Sequence, residues 1–323
     1  MPFVAPWFWF IGFFMLIPLL YIEEYHRKKR AKQIFEFFWY AYLFFVSMNI
    51  TACCWIGIAS VSGLMLVVVL NSFFMALVFW FFHFSARLVT EKTGYYLLVF
   101  FWISYEFIHH RWELEWPWLV LGNIFSGYEK IIQWYEFTGV LGGSLWILWV
   151  NILMYQLFKS LKNRHQRLII FRITGLMLLI FGPVILSFHI FSEMDSQGKK
   201  MHVVVVQPDF DPYNEKFGGL SAEEQLSIIM KLAGEYATKE TKLITGPETA
   251  VVKTLWQDSL NNSALIKEIK NFMQNYKNAK LLIKITPTEI NKRFWMSISS
   301  SSTILFACAL FQPIQKDQYK PDR

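Results

Sequence analysis

The widest feature of the hydrophobic pattern is residues 37–86, fifty positions without Asp, Glu, Lys or Arg. As a single helix this stretch would extend roughly 75 Å, more than twice the hydrocarbon thickness of a bilayer. Two antiparallel spans are therefore expected, with the turn near Ala59, Ser60, Val61, Ser62 and Gly63. Residues 3–22 form another uncharged stretch, again long enough to cross. Its basic cluster (Arg27, Lys28, Lys29, Arg30, Lys32) follows the apolar run instead of preceding it, so a cleaved secretory signal is not expected. Apolar stretches at 93–110 (interrupted by Glu106), 137–158 and 173–192 bring the expected spans to six, all within residues 1–192.

Beyond residue 193 the period changes. His202 is followed by Val203, Val204, Val205 and Val206, a β-branched run of the kind found in a strand buried on both faces. Ser221 precedes Glu223 and Glu224, and Leu226, Ile229 and Met230 follow at helical spacing, which predicts a capped helix. A second strand at 242–245 runs into Gly246, Pro247 and Glu248; residues 256–276 read as helix and 281–285 as a third strand. Strand and helix alternate, so 193–323 is expected to be an α/β domain outside the membrane.

Composition sharpens this division. With 54% hydrophobic residues, 19% aromatic residues and a mean hydropathy of +0.33, the chain is no ordinary soluble globule. The net charge of +7 is explained by loops and gives no reason to expect a nucleic-acid partner. Arg and Lys gather at 23–36, 87–92 and 159–172, whereas the opposite loops hold little besides Arg111 and Lys130. The positive-inside rule places the first set in the cytoplasm and everything after Ser192 on the outer face. Three cysteines without C-x-x-C spacing make neither a disulfide framework nor a zinc site, and no metal or cofactor is expected. His83, His109, His110 and His189 fall near span ends, where solvated or snorkelling side chains are expected instead of ligands. A transporter would show mid-span charges or paired broken helices, and only Gly182-Pro183 breaks a span here.

Two places invite chemistry. Residues 111–133 are too short and too polar to span, yet carry Trp112, Trp116 and Trp118 around Pro117, which predicts an arm at the headgroup level. Plain aromatic anchoring and a lipid-headgroup role, aided by Glu113 and Glu115, both stay open. Glu248 lies just past a strand end, where catalytic groups collect in α/β sheets. It is placed to be a general base, or only to complement a following helical turn.

Several segments taken in order carry a resemblance. These are Trp116-Pro117-Trp118-Leu119, Gly122, Trp134-Tyr135-Glu136-Phe137-Thr138-Gly139, Gly142-Gly143-Ser144-Leu145, Val206-Gln207-Pro208 and Gly246-Pro247-Glu248-Thr249-Ala250. Over residues 3–291 the chain resembles the bacterial apolipoprotein N-acyltransferases. The resemblance implies a helical bundle in the inner membrane bearing a periplasmic nitrilase-like domain, an α-β-β-α sandwich. It also implies transfer of an acyl chain from a phospholipid to the α-amino group of a lipoprotein's diacylglyceryl-cysteine. Glu248 matches the family's general base. Lys216 and Phe217 resemble a lysine-tryptophan pair of a mobile substrate loop, and Trp116 and Trp118 fall in the substrate-facing arm. Lys316, or equally Lys320, lies where an oxyanion-stabilising lysine is expected.

The chain also departs from the family. Both ends look short against it, and from Arg293 the sequence stops resembling it, as a shifted frame or a degraded gene would produce. The nucleophilic cysteine is expected beyond that lysine and finds no match: Cys53 and Cys54 belong to a span, and Cys308 to an apolar run. An incomplete outer domain without acyl-transfer activity is the resulting expectation, with a lipid-binding remnant as the competing reading.

Overall fold

The computed structural model describes residues 6–28, 34–112, 116–193, 200–216, 219–247, 251–255, 263–287, 294–299 and 304–308. It divides into two compact units, Met1–Ser196 and Gln197–Arg323.

The first unit is helical. In order it comprises α1 (Ile17–Lys28), α2 (Ile34–Cys53), the short α3 (Ile56–Ala59), α4 (Val61–Ala86), α5 (Glu91–His109), α6 (Tyr135–Lys162) and α7 (Gln166–Glu193). Among the described residues four segments are long and apolar enough to cross a bilayer: Phe8–Lys28, Val61–Ala86, Tyr135–Lys162 and Gln166–Glu193. These make the unit a membrane helical bundle. Helices α2 and α5, of 20 and 19 residues, contribute to the same core through Phe37, Phe45, Leu98 and Trp102. The turn within the long uncharged stretch falls where the pattern predicts: Ser60 is extended, and its hydroxyl accepts from Gly63 N to cap α4. Helix α7 is the outlier. Leu176 and Ser187 are its buried residues, while Phe171, Leu178 and Ile185 are open, as in a helix bathed in hydrocarbon.

Polar side chains choose which helices meet. Asn151 of α6 accepts from Leu16 N at 2.9 Å and donates to Gly12 O at 2.8 Å. It thereby stands in for the Leu16-to-Gly12 bond of a regular helix, where the 3-10 turn Pro6–Phe13 passes into α1; such insertion is a recognised cause of kinks. Asn49 of α2 donates to Ser72 Oγ at 3.0 Å and accepts from Asn71 Nδ2 at 2.9 Å, and Tyr105 OH donates to Asn71 Oδ1 at 2.7 Å. Helices α2, α4 and α5 are joined in this way.

His83 and His109 correct an expectation. Both are buried, not solvated, and His83 Nδ1 lies 2.9 Å from Glu23 Oε1, which Arg27 also approaches at 3.4 Å. Proximity to a span end does not imply contact with water when a charged partner on α1 is packed against the ring.

The second unit alternates β1 (His202–Val205), α8 (Ala222–Tyr236), β2 (Thr241–Thr245), β3 (Val251–Leu255), α9 (Ala264–Met273) and β4 (Lys280–Pro287). Then come β5 (Phe294–Ser299) and β6 (Ile304–Cys308), in the stretch where the resemblance lapses. The sheet order is β1-β2-β4-β5-β6, with β3 also on β4. Strands β1, β2 and β4 are parallel, as strands joined through crossover helices must be; β5 is antiparallel to β4 and to β6. Val204, Val206, Ile244, Leu281 and Ile283 share a core with Leu226, Ile229, Leu265 and Ile269 of the two helices. Alternation sends Val203 and Val205 to the other face, where Val205 is 72% exposed.

Candidate functional site

Two arrangements bear on function, one in each unit. In the helical unit the segment after α5 forms three 3-10 turns, Pro117–Leu119, Leu121–Phe125 and Glu129–Ile131. It is not a loop lying on the surface: Leu119, Leu121, Ile124 and Phe125 are buried. Glu106 Oε1 receives both Trp102 Nε1 and Leu121 N at 2.9 Å, which ties the arm to α5. Gly122 N donates to Ser144 Oγ at 2.9 Å, and Tyr135 OH donates to Gly122 O at 3.0 Å, which ties it to α6.

This contact explains the glycines of the motif. A Cβ on Gly122 would drive into Val140 O and Ser144 N, both backbone atoms, so only glycine allows the arm to lie this close. Gly139 has φ of +65°, a conformation that breaks α6 after its first turn. The ring of His109 stands between Trp112 Nε1 (3.0 Å from Nδ1) and Trp116 N (3.1 Å from Nε2); a neutral imidazole accepts from one of these at a time. Trp116 is buried against Leu119 and Val67, whereas Trp118 is 43% exposed. The two tryptophans named from sequence thus differ in place: one anchors the arm and the other presents its ring outward. Glu113 and Glu115 lie outside the described residues.

In the second unit the parallel strands end together. Val206 N donates to Thr245 O at 2.8 Å and Gly246 N to Leu282 O at 3.1 Å, so pairing continues one residue past β1 and β2, to Val206 and Gly246, at one end of the sheet. Thr245 pairs with Leu282 and Val251 with Ile285. Glu248 falls between these two pairs in the sequence and lies outside the described residues. Strand β6 runs parallel to β4, and Cys308, its last residue, pairs with Phe294 toward the same edge.

The loop after β1 is stapled from within. Asp209, with φ of +54°, turns the chain away from the sheet. Asp211 Oδ1 accepts from Asn214 N at 2.7 Å, and Asp211 O accepts from Glu215 N and Lys216 N. Lys216, half-buried, closes this turn, and its carbonyl receives Gln225 Nε2 at 2.8 Å. Gln225 is 1% exposed and also donates to Leu220 O, so a buried amide of α8 holds both ends of the loop. Sequence reasoning passed over Gln225. Its signal was its position in the stripe Ala222, Gln225, Leu226, Ile229, where a polar residue in an apolar row needs a partner. Phe217 and Lys316 lie outside the described residues.

Comparison with known proteins agrees with the motif. Residues 1–153 match the family model described as the apolipoprotein N-acyltransferase N-terminal domain. An apolipoprotein N-acyltransferase of Chlorobaculum tepidum is 28% identical over 244 residues, covering 75% of this chain and 44% of that protein. The chain thus aligns with less than half the length of this relative. The tryptophans and glycines of the arm that carry the resemblance lie within the matched stretch: residues 1–153 are similar to the N-terminal domain of the apolipoprotein N-acyltransferases.

Proposed function

We propose that this chain belongs to the machinery of lipoprotein maturation, as an N-acyltransferase of the bacterial inner membrane with its second unit on the periplasmic side. The observation that carries the reading is the arm docked on α5 and α6 through Glu106, Gly122 and Ser144, within residues that match the family. Six spans, with α2 and α5 included, would put both ends of the chain on one face, in keeping with the basic loops. A nitrilase-like sandwich would account for the apolar outer face of Val203 and Val205, which a second layer would cover.

In the proposed reaction a thiolate attacks the phospholipid ester carbonyl, the ester C–O bond breaks, and the departing lysophospholipid takes a proton from Glu248. The lipoprotein amine then attacks the thioester, yields its proton to Glu248 and expels the thiolate. Lys316 would steady the oxyanion in both steps. Lys216 and Phe217, on the Gln225-held loop, would meet the substrate, and Trp118 would face lipid.

None of the three cysteines meets the family's pattern, so the 323 residues alone are expected to form no thioester. Two measurements separate the claims. Deleting the gene should leave lipoproteins with a free α-amine, read by mass spectrometry; unchanged N-acylation would sink the function. Purified chain incubated with alkyne-tagged phospholipid should gain no hydroxylamine-sensitive label. A label abolished by Cys308→Ser would instead make Cys308 the nucleophile and discard the reading of a non-catalytic, lipid-binding remnant.

A further inference from the structure

At the end of the bundle away from the arm, α5, α6 and α7 line an open groove of about 570 Å³. That volume lies within the range of small-ligand sites. Its α6 wall repeats at 149, 152, 153, 156, 159, 160 and 163, a single helix stripe. The stripe covers roughly 20 Å at 1.5 Å per residue. Its chemistry changes along that length. Trp149, stacked edge-on against Tyr96 at 5.1 Å, begins it with apolar surface; Lys159 and Asn163 end it at the turn into α7.

The charge at the polar end is unbalanced. The lining contains three cations, Lys92, Lys159 and Arg172, against one carboxylate, Glu91. Lys159 is already matched, at 2.6 Å from Glu91 and 3.0 Å from Glu24. Arg172 donates to Gln156 O and Ser160 Oγ, and among the described residues neither Arg172 nor Lys92 pairs with a carboxylate. A guanidinium held in place by two neutral acceptors keeps its remaining donors for an anion.

We propose that this groove binds an anionic glycerophospholipid, with phosphate at Arg172 and Lys92 and an acyl chain along α6 toward Trp149. An apolar floor continuous with a cationic mouth fits an amphiphile better than a free anion, which would use only the mouth, or a neutral lipid, which would use only the floor. The site stands at the opposite end of the bundle from the arm and does not depend on the acyl-transfer reading.

The test uses the full purified chain in detergent micelles, with binding of dioctanoyl-phosphatidylglycerol read by native mass spectrometry. The double variant K92Q/R172Q should lose at least about tenfold in affinity, since each charge-assisted contact removed is worth more than a neutral hydrogen bond. Leu153→Trp should weaken binding with every charge intact, and Arg172→Lys should keep most of it. Equal binding by the double variant, equal binding of dioctanoylglycerol, or displacement of the lipid by equimolar inorganic phosphate would each overturn the proposal. Should the double variant not fold, L153W and R172K with the three probes decide it.

Discussion

Asn49 in the helical unit and Leu226 in the α/β unit are both fully buried, yet they hold their surroundings by different means. Asn49 bonds to Ser72 and Asn71 across the contact between α2 and α4. Leu226 sits among Val204, Ile244, Leu265 and Ile269, an apolar core between helices and sheet. In hydrocarbon, burying another leucine gains little, because lipid tails are as apolar as the protein; bonds and close packing select the neighbours. In water the same leucine supplies the main driving force. The polar ties of the first unit and the apolar stripe of α8 are therefore two different ways of holding a buried contact.

The largest break in this comparison is Leu226→Ala. Removing a fully buried leucine costs about 3 kcal/mol when the site relaxes only in part. Amide exchange in α8 and β2 should then accelerate by roughly two orders of magnitude, since 1.4 kcal/mol is tenfold. Exchange in α2 and α4 should not change. If both units were destabilised together, the division into separately held cores would be wrong.

Asn49→Ala probes the other side at lower amplitude. It removes the partners of Ser72 and Asn71, and interhelical bonds of this kind are worth about 1 kcal/mol in bilayers. Unfolding of the bundle in mixed micelles should shift by about that amount, with α8 exchange unaltered. A shift as large as that from Leu226→Ala would show that polar ties dominate the bundle more than the comparison allows.

What the sequence disclosed follows the same division. The valine run of β1, the cap of α8 and the uncharged stretch from α2 to α4 are local signals, and each became the element expected, except that β1 is open on the face of Val203 and Val205 where the run suggested burial on both. Pairings between helices were not legible. Nothing at Glu23 announces His83, sixty positions on, and nothing at Asn151 announces Gly12, because the pairs exist only once the helices are neighbours. The arm lies between these cases. Its glycines and tryptophans were visible as a motif, but that Gly122 is there for want of room against Val140 and Ser144 follows from the packing alone. Strands β5 and β6 were missed because their sequence had left the family pattern, although Phe294, Trp295 and Met296 are strand-forming in their own right. For the chemistry, the sequence named Glu248, Phe217 and Lys316, and all three fall outside the described residues.

The smallest expected effect belongs to the cap of α8. Ser221 Oγ accepts from Glu224 N at 3.2 Å, and Glu224 Oε2 accepts from Ser221 N at 2.8 Å, so two backbone donors at the helix start are satisfied reciprocally. Bonds from the Ser221 amide and hydroxyl hold the Glu224 carboxyl below its ordinary value of 4.5. A lowered folded pKa means that the cap contributes fully above 4.5 and is lost as pH falls through the folded value. Ser221→Ala should loosen the first turn of α8 by about 1 kcal/mol at neutral pH, read as faster exchange there. The same variant should differ less from the parent chain as the pH drops below 4.5, because protonation weakens the bond that the Ser221 hydroxyl donates to the carboxylate, which the variant lacks. A difference that grew with acidity would mean that Glu224 is favoured in its neutral form and that the reciprocal cap is not what holds this helix end.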